Sequence, residues 1–586
     1  MSSVSRAAMP WLIAVGTFVI PSERSESRDL HLPLLTASAV RADPSTSLGL
    51  TSATSLGMTS ATALGMTTAR AVACDAASLS ALPLEHARVT SAAPVAAGPF
   101  AIPGTQFTIS ALPAFCRVRG EASSEAGSRI RFELWFPMDS AWNAKLLVTG
   151  NGGYSPMPAY ADMAMALRRG YAALGGDTGH QTENPDDLTF VVGHPERMLD
   201  WGTRSIHAIT GPGKAIAAAL GAKPVRRAYF FGCSTGGHQA VAEMEAYPED
   251  FDGVIAGAPG NNRIRLNAGF LWQYRANHAP HNDSTPILTP ASLALVTRAV
   301  VAACDAMDGV RDGVIDDPRD CDWRPGALLC PADGDPAAGD TVSCLSSAQA
   351  QALERMYAGA RNPRTRAQIY PGWPRGSEAS TVAPDGTVLS GWNRYWGTNA
   401  PARADFWRYW VFDDPKWDWW SFDFDQDLAV ADAKVGGAID HTTADLGAFR
   451  RRGAKAILYQ GWADPVVSAY DAIAYYEKVR ASQGSQSATD SFLRLFMVPG
   501  MAHCARGPGA TNFGNQGGEA PVCDAEHDLI EALDAWVERG TAPDHIIASR
   551  VENGAVTRTR PLCPYPRRAH YAGRGNSDDA ASFTCR

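Results

Sequence analysis

Short apolar runs of strand length recur along the chain, separated by stretches with helical periodicity. Ile130 to Phe136 alternates as a half-buried strand does, and Lys145 to Thr149 is a compact apolar run. Ala228 to Phe231 is another and ends in glycine, a helix-like stretch follows from Gly237 to Tyr247, and Gly253 to Gly257 reads as the next buried strand. Far downstream, Ala454 to Tyr459 and Phe492 to Val498 repeat the pattern, each leading into a loop with an ionisable residue. Strands alternating with helices predict an α/β chain with a mostly parallel sheet covered on both faces. Residues 262–450 break the rhythm with cysteines, aspartates and a tryptophan-dense stretch from Trp392 to Trp420. An insertion there enters after one sheet strand and leaves before another, which predicts a lid over the strand ends. The expected organisation is a leader and low-complexity linker at 1–73, a first sheet segment at 74–261, the lid at 262–450 and a second sheet segment at 451–586.

Composition adjusts this picture at a few points. A chain of 586 residues exceeds what one hydrophobic core usually supports. The net charge of −9 leaves no basic stripe for phosphates, which excludes nucleic acid as a partner. Eleven cysteines point to an oxidising compartment, though spacing alone does not reveal how they pair. Arg6 before the apolar run from Met9 to Ile20 has the form of a signal peptide and is too short for a membrane span, so a secreted or periplasmic location is expected. Residues 51–58 and 59–66 are copies of one eight-residue repeat rich in Thr, Ser and Gly, which buries too little to order itself. Ala71-Val72-Ala73 resembles a signal-peptidase site, yet it lies far from the apolar run, and the pattern does not single out a mature N-terminus.

The chemistry concentrates after the strands. Gly232-Cys233-Ser234-Thr235-Gly236 has the form of a nucleophile elbow, and its context of apolar strand before and helix after is that of an α/β-hydrolase fold. A serine hydroxyl needs a base, and the base needs a partner for its other ring nitrogen. In this fold the order is Ser, acid, His. Asp464 follows the strand ending at Tyr459, and His503 follows the one ending at Val498. The competing readings are a turn residue before Pro465 and a solvated loop histidine. The oxyanion requires two preorganised donors. Thr235 supplies one N–H, and the loop Gly150-Asn151-Gly152-Gly153 supplies the other, assigned to Gly153 with Gly152 as the near alternative. If Ser234 and His503 meet, Cys233 and Cys504 come close enough to bond. A run with Asp305, Asp308, Asp312 and Asp316 lies between Cys304 and Cys321, and Gly309 and Gly313 within it favour a loop over a helix. Carboxylates wrapped in a loop suit a hard cation such as Ca2+, although the spacing is not that of an EF-hand and a solvated acidic loop is the other reading.

These residues together resemble the tannase and feruloyl esterase family, which includes mono(2-hydroxyethyl) terephthalate hydrolase. The resemblance spans roughly residues 74–586. It rests on the segment 232–237, on Asp464 in Gly-Trp-Ala-Asp-Pro, on His503-Cys504, on the glycine loop, on Gly176-Asp177-Thr178-Gly179-His180 and on the acidic loop. It implies a Cys233–Cys504 bond and a structural calcium in the lid, held by Asp305, Asp308 and Asp312 with the carbonyls of Val310 and Val314. It also implies the pairs Cys74–Cys116, Cys304–Cys321, Cys330–Cys344 and Cys563–Cys585, leaving Cys523 over.

The expected activity is two-step acyl transfer through Ser234 on an ester of an aromatic acid of the feruloyl, galloyl or terephthaloyl type. Trp392, Trp396, Trp407 and Trp410 offer either a flat wall for such an acyl group or the core of the lid. Two rivals are a calcium-stabilised binding protein on the same scaffold and a peptidase.

Overall fold

The structure, a computed structural model, describes residues 71–586 apart from 139–141, 155, 183, 185, 332–342 and 384–386. The expected signal run and the repeats lie outside the described residues. A nine-stranded sheet organises the rest. Its strands are β1 (Ala87–Val95), β2 (Phe115–Ala122), β3 (Ile130–Pro137), β4 (Lys145–Thr149), β5 (Ala172–Gly176), β6 (Arg227–Cys233), β7 (Gly253–Gly257), β8 (Lys455–Gly461) and β9 (Leu493–Val498). They lie in the order β1-β2-β3-β5-β4-β6-β7-β8-β9. β1, β2, β3 and β5 pair antiparallel, and every pairing from β5 to β9 is parallel.

The unbroken apolar runs follow from burial on both faces. Leu146, Val148, Phe230, Val254, Leu458 and Leu495 pack into one core, while Leu147, Tyr229, Phe231, Ile255, Ile457 and Phe496 turn to the other. Helices cover both faces, among them α1 (Tyr160–Arg168), α2 (Ser205–Gly221), α3 (Thr235–Ala246), α7 (Ala469–Gln483) and α8 (Leu529–Arg539). α8 begins where the Asp528 carboxylate accepts from the N–H groups of Ile530 and Glu531, and it buries Leu529, Ile530, Leu533 and Trp536.

The strand order reverses at β4. The chain leaves it for β5 on one side and returns through α2 to β6 on the other, so the loops after β4 and β6 open a crevice at the carboxyl end of the sheet.

Between β7 and β8 the chain builds α4 (Arg263–Asn277), α5 (Pro290–Cys304) and α6 (Ser347–Ala358) with short two-stranded ribbons. α5 starts with a capping box between Thr289 and Ser292 and with Pro290 in its first turn. Together with the 3-10 turn that extends it to Asp308, α5 is long and apolar enough to cross a membrane, yet Leu293, Val296 and Val300 bury into a third core. Trp392, Trp396, Trp407 and Trp410 all lie in that same core, each at most 5% exposed, so their side chains fill it and present no open wall. This region and the sheet belong to one compact unit, Thr67–Arg586.

Five disulfides join Cys74–Cys116, Cys233–Cys504, Cys304–Cys321, Cys330–Cys344 and Cys563–Cys585, and Cys523 is free and exposed. They suit an extracellular or periplasmic protein.

Candidate active site

Ser234 sits between β6 and α3 with φ +63° and ψ −116°, a backbone conformation that non-glycine residues rarely hold. Its N–H donates to the Gly257 carbonyl at 3.0 Å, which ties the turn to β7. Glycine is required where the turn is tightest. A Cβ on Gly232 would stand 2.7 Å from Gly236, and one on Gly150 would stand 2.5 Å from the Gly236 Cα. The helix begins at Thr235, two residues before the sequence pattern predicts. The serine itself is half-buried at the helix N-terminus, where the dipole favours negative charge.

Asp464 and His503 meet as anticipated from their places after β8 and β9. Nδ1 of His503 lies 2.8 Å from Oδ2 of Asp464. Asp464 is fully buried, and every other donor around it holds it still. The N–H groups of Val466 and Val467 donate to Oδ1 at 2.8 and 3.1 Å, and Nε2 of Gln460 donates to Oδ2 at 3.0 Å. With Nδ1 committed to the carboxylate, Nε2 of His503 is the nitrogen left for proton transfer. β9 lies three strands from β6, roughly 14 Å at ordinary strand spacing. The loop 499–504 closes that gap by crossing over the end of β8, where a Cβ on Gly461 would stand 2.2 Å from the Met501 carbonyl. The Cys233–Cys504 bond then joins the residue before the serine to the residue after the histidine, with Cα atoms 5.9 Å apart.

The glycine loop after β4 is braced from two directions. Its Gly150 N–H donates to Phe231 of β6, and its Asn151 N–H donates to Oε1 of Gln239 on α3. Gln239 returns a bond to the Asn151 side chain, which itself donates to the carbonyls of Met157 and Gly176. Gly153 takes φ +55°, and among the described residues the N–H groups of Gly152 and Gly153 have no acceptor. His180, from the motif at 176–180, places Nε2 3.0 Å from the Tyr154 carbonyl and Nδ1 3.1 Å from the Thr178 hydroxyl. Burial pushes its pKa down to about 4, so it is neutral and braces the loop without charge. Asp177 beside it is pushed up to about 7, again by burial, against the bonds from Gly179, Arg131 and Gln181.

Beside the glycine loop, Trp410, one of the four tryptophans the sequence singles out, meets two rings that it does not. Tyr154 stacks on Trp201 with centroids 4.7 Å apart, and Trp410 meets both edge-on. Trp201 rides on a π-helical turn, Asp200–Arg204, whose Gly202 carbonyl is left open to accept from His238 and His441. Arg263 and Arg403 flank the stack, their guanidinium carbons 5.1 Å from Trp201 and 5.0 Å from Tyr154. No motif marks Tyr154, Trp201 or Arg263; the first two come from the sheet segment before Ser234, and the insert adds Trp410, Arg263 and Arg403.

The acidic loop folds as a short 3-10 turn, Asp305–Asp308, followed by Gly309 and Gly313 at positive φ. Asp305 Oδ1 accepts from the N–H groups of Asp312, Gly313 and Val314, and Asp308 Oδ1 from Val310. Asp312 is engaged by Arg558 and Arg560 from the hairpin Ile546–Glu552 and Ala555–Leu562. Asp316 is pushed up to about 7 by burial and by the charges of Asp308 and Asp317. Among the described residues no three acidic, His or Cys side chains form a tight metal-binding group.

The model of the family described as tannase and feruloyl esterase matches residues 116–586. An uncharacterized esterase of Xanthomonas campestris pv. campestris is 38% identical over 87% of this chain and 90% of its own length. A probable feruloyl esterase B of Aspergillus clavatus is 34% identical over 80% of this chain and 86% of its own. The crystal structure of feruloyl esterase B from Aspergillus oryzae superposes with a TM-score of 0.79 at 29% identity, covering 86% of this chain and 98% of that one.

Proposed function

Because the chain belongs to the tannase and feruloyl esterase family and is a carboxylic ester hydrolase of the α/β-hydrolase fold, we propose that it is a secreted serine esterase that cleaves esters of aromatic acids. Ser234 attacks the ester carbonyl while Nε2 of His503 takes its proton, and Asp464 keeps the imidazole in the right tautomer and offsets its charge. The oxyanion develops against the N–H groups of Thr235 and Gly153, with Gly152 as the neighbouring donor. His503 then hands the proton to the leaving alcohol, and a water attacking the acyl-enzyme completes the cycle with Ser234 as the departing group.

The observation that carries this reading is the 2.8 Å contact between His503 and a fully buried, fully bonded Asp464, on a loop cross-linked to the residue before a strained serine. The aromatic preference draws on the relatives named feruloyl esterase. Secretion draws on the five disulfides and the apolar run near the N-terminus.

A structural calcium in the acidic loop completes the proposal. The donors there are all oxygen, and the crowding of Asp308, Asp316 and Asp317 is what a divalent cation relieves. Asp305, Asp308 and Asp312 would hold it, with the carbonyls of Val310 and Val314. When bound, the ion would cross-link the lid loop and leave the chemistry at Ser234 to the chain.

Ser234→Ala tests the reading. Hydrolysis of a hydroxycinnamate, gallate and terephthalate monoester panel by the parent chain, lost in the variant with an unchanged melting temperature, is the expected result; turnover retained in the variant overturns it.

A further inference from the structure

Arg263 is a buried charge beside the site that the face of Trp201, 5.1 Å from its guanidinium carbon, meets but no counter-ion balances among the described residues. It opens α4, so its cation stands at the positive end of a 15-residue helix, where a carboxylate belongs. It is 8% exposed, and among the described residues no carboxylate comes within ion-pairing distance. The nearest acid, Asp440, is engaged by the Ile264 N–H and faces Arg265. Among the described residues, Nε of Arg263 has no partner, and the one hydrogen bond its side chain makes is long, 3.4 Å, from Nη2 to the Thr235 hydroxyl. The buried Tyr154 hydroxyl, on the next ring of the stack, has no partner among them either. A second guanidinium, Arg403, lies over Tyr154 and is balanced by Asp186, which is largely exposed. A buried cation without a counter-ion is costly, and burial lowers its pKa for that reason. Thr235 follows the nucleophile, so the missing anion would sit within reach of a substrate bound at Ser234.

We propose that Arg263 and the Tyr154 hydroxyl form an anion-recognising subsite beside Ser234, and that the ester this enzyme takes carries a carboxylate. Planar N–H donors on Arg263 and the phenol O–H match a carboxylate's oxygens. This deepens the serine-esterase reading and rests on it for the position of the substrate.

Two matched ester pairs test it: an alkyl ester of 4-carboxybenzoic acid against that of 4-carbamoylbenzoic acid, and the benzoyl ester of glycolate against that of glycolamide. The first pair puts the charge on the acyl arm, the second on the alcohol arm. In the parent chain, one pair shows kcat/KM about 10-fold or more in favour of the carboxylate, the size of a charged hydrogen bond, carried mainly by KM. In Arg263→Met that ratio falls to about one, and in Arg263→Lys it is intermediate. A parent ratio near one in both pairs, or a preference that survives Arg263→Met, overturns the proposal. Should Arg263→Met fail to fold, inhibition of the parent by terephthalate against terephthalamide decides, with equal inhibition counting against the subsite. If no ester is cleaved, the esterase reading fails on its own, and calorimetry of terephthalate binding to the parent and to Arg263→Lys still judges the subsite.

Discussion

The loops at the carboxyl end of the sheet and the segment inserted between β7 and β8 differ in how fully they bond the polar groups they bury beside the site. Around Asp464 and the glycine loop most donors and acceptors are matched: three protein donors and His503 on one carboxylate, and Gln239 and Asn151 bonded to each other in both directions, although among the described residues Gln460 Oε1 and the Glu243 carboxylate on α3 have no partner. In the insert and on the ring stack beside it, Nε of Arg263, the Gln273 amide, Nδ2 of Asn277, Nε1 of Trp373, the Tyr154 hydroxyl and Nε1 of Trp201 are buried without partners among the described residues. Full satisfaction fixes geometry, which acyl transfer needs; unsatisfied groups near a crevice are open to a ligand. On the proposed reading, the sheet end supplies the machinery and the insert the recognition.

The sharpest break between the two regions comes at the serine. Ser234→Ala is expected to lower kcat by about 10⁴-fold or more with folding intact, read by steady-state kinetics and thermal melting. Asp464→Asn follows, with kcat down about 10³- to 10⁴-fold because the imidazole loses its tautomeric guide. Next is the cross-link between the two catalytic loops. Cys233→Ser with Cys504→Ser opens a connection spanning 271 residues and costs about 3–5 kcal/mol in denaturant unfolding.

Much of the sheet end was legible in the chain because its signals are local. β4 and β7 fall where the apolar runs predict, and Ser234, Asp464 and His503 each lie just past a strand, where the fold's order puts them. β5 was not legible. Ala172–Gly176 is too short and too small-sided to show a period, and its strand character comes from lying between β3 and β4. The antiparallel extension through β1 and β2 was also missed, since Ala87–Val95 is largely exposed, carries small residues and a proline without a clear alternation, and relies on pairing with β2. The same contrast holds for the site. Arg263 has no motif, and His180 acts on Tyr154 across 26 residues through a hydrogen bond that no spacing announces.

Smaller effects sharpen the comparison. His180 titrates near 4 when folded against an ordinary value of 6.5, so the stability it contributes is complete above pH 6.5 and is lost as pH falls toward 4. At about 1.4 kcal/mol per unit this is at most ~3 kcal/mol. Asp177 runs the other way, contributing fully below its ordinary 3.8 and losing that contribution as pH rises through about 7. Melting of the parent and of His180→Asn between pH 4 and 7 separates the two: the variant should show the shallower loss on the acid side. Smallest is the calcium. Chelation should remove about 2.7 kcal/mol if free calcium stood about 100-fold above its Kd, seen as a lower melting temperature before any change in kcat, and an unchanged melting curve counts against the ion.

One experiment bears most directly on the claim that an activated serine lies at the strained turn after β6. The intact chain and Ser234→Ala are exposed to a fluorophosphonate probe, digested and read by mass spectrometry. The account predicts a single adduct, on the peptide carrying Ser234, and none in the variant; an unlabelled parent chain, or a label that persists in Ser234→Ala, contradicts it.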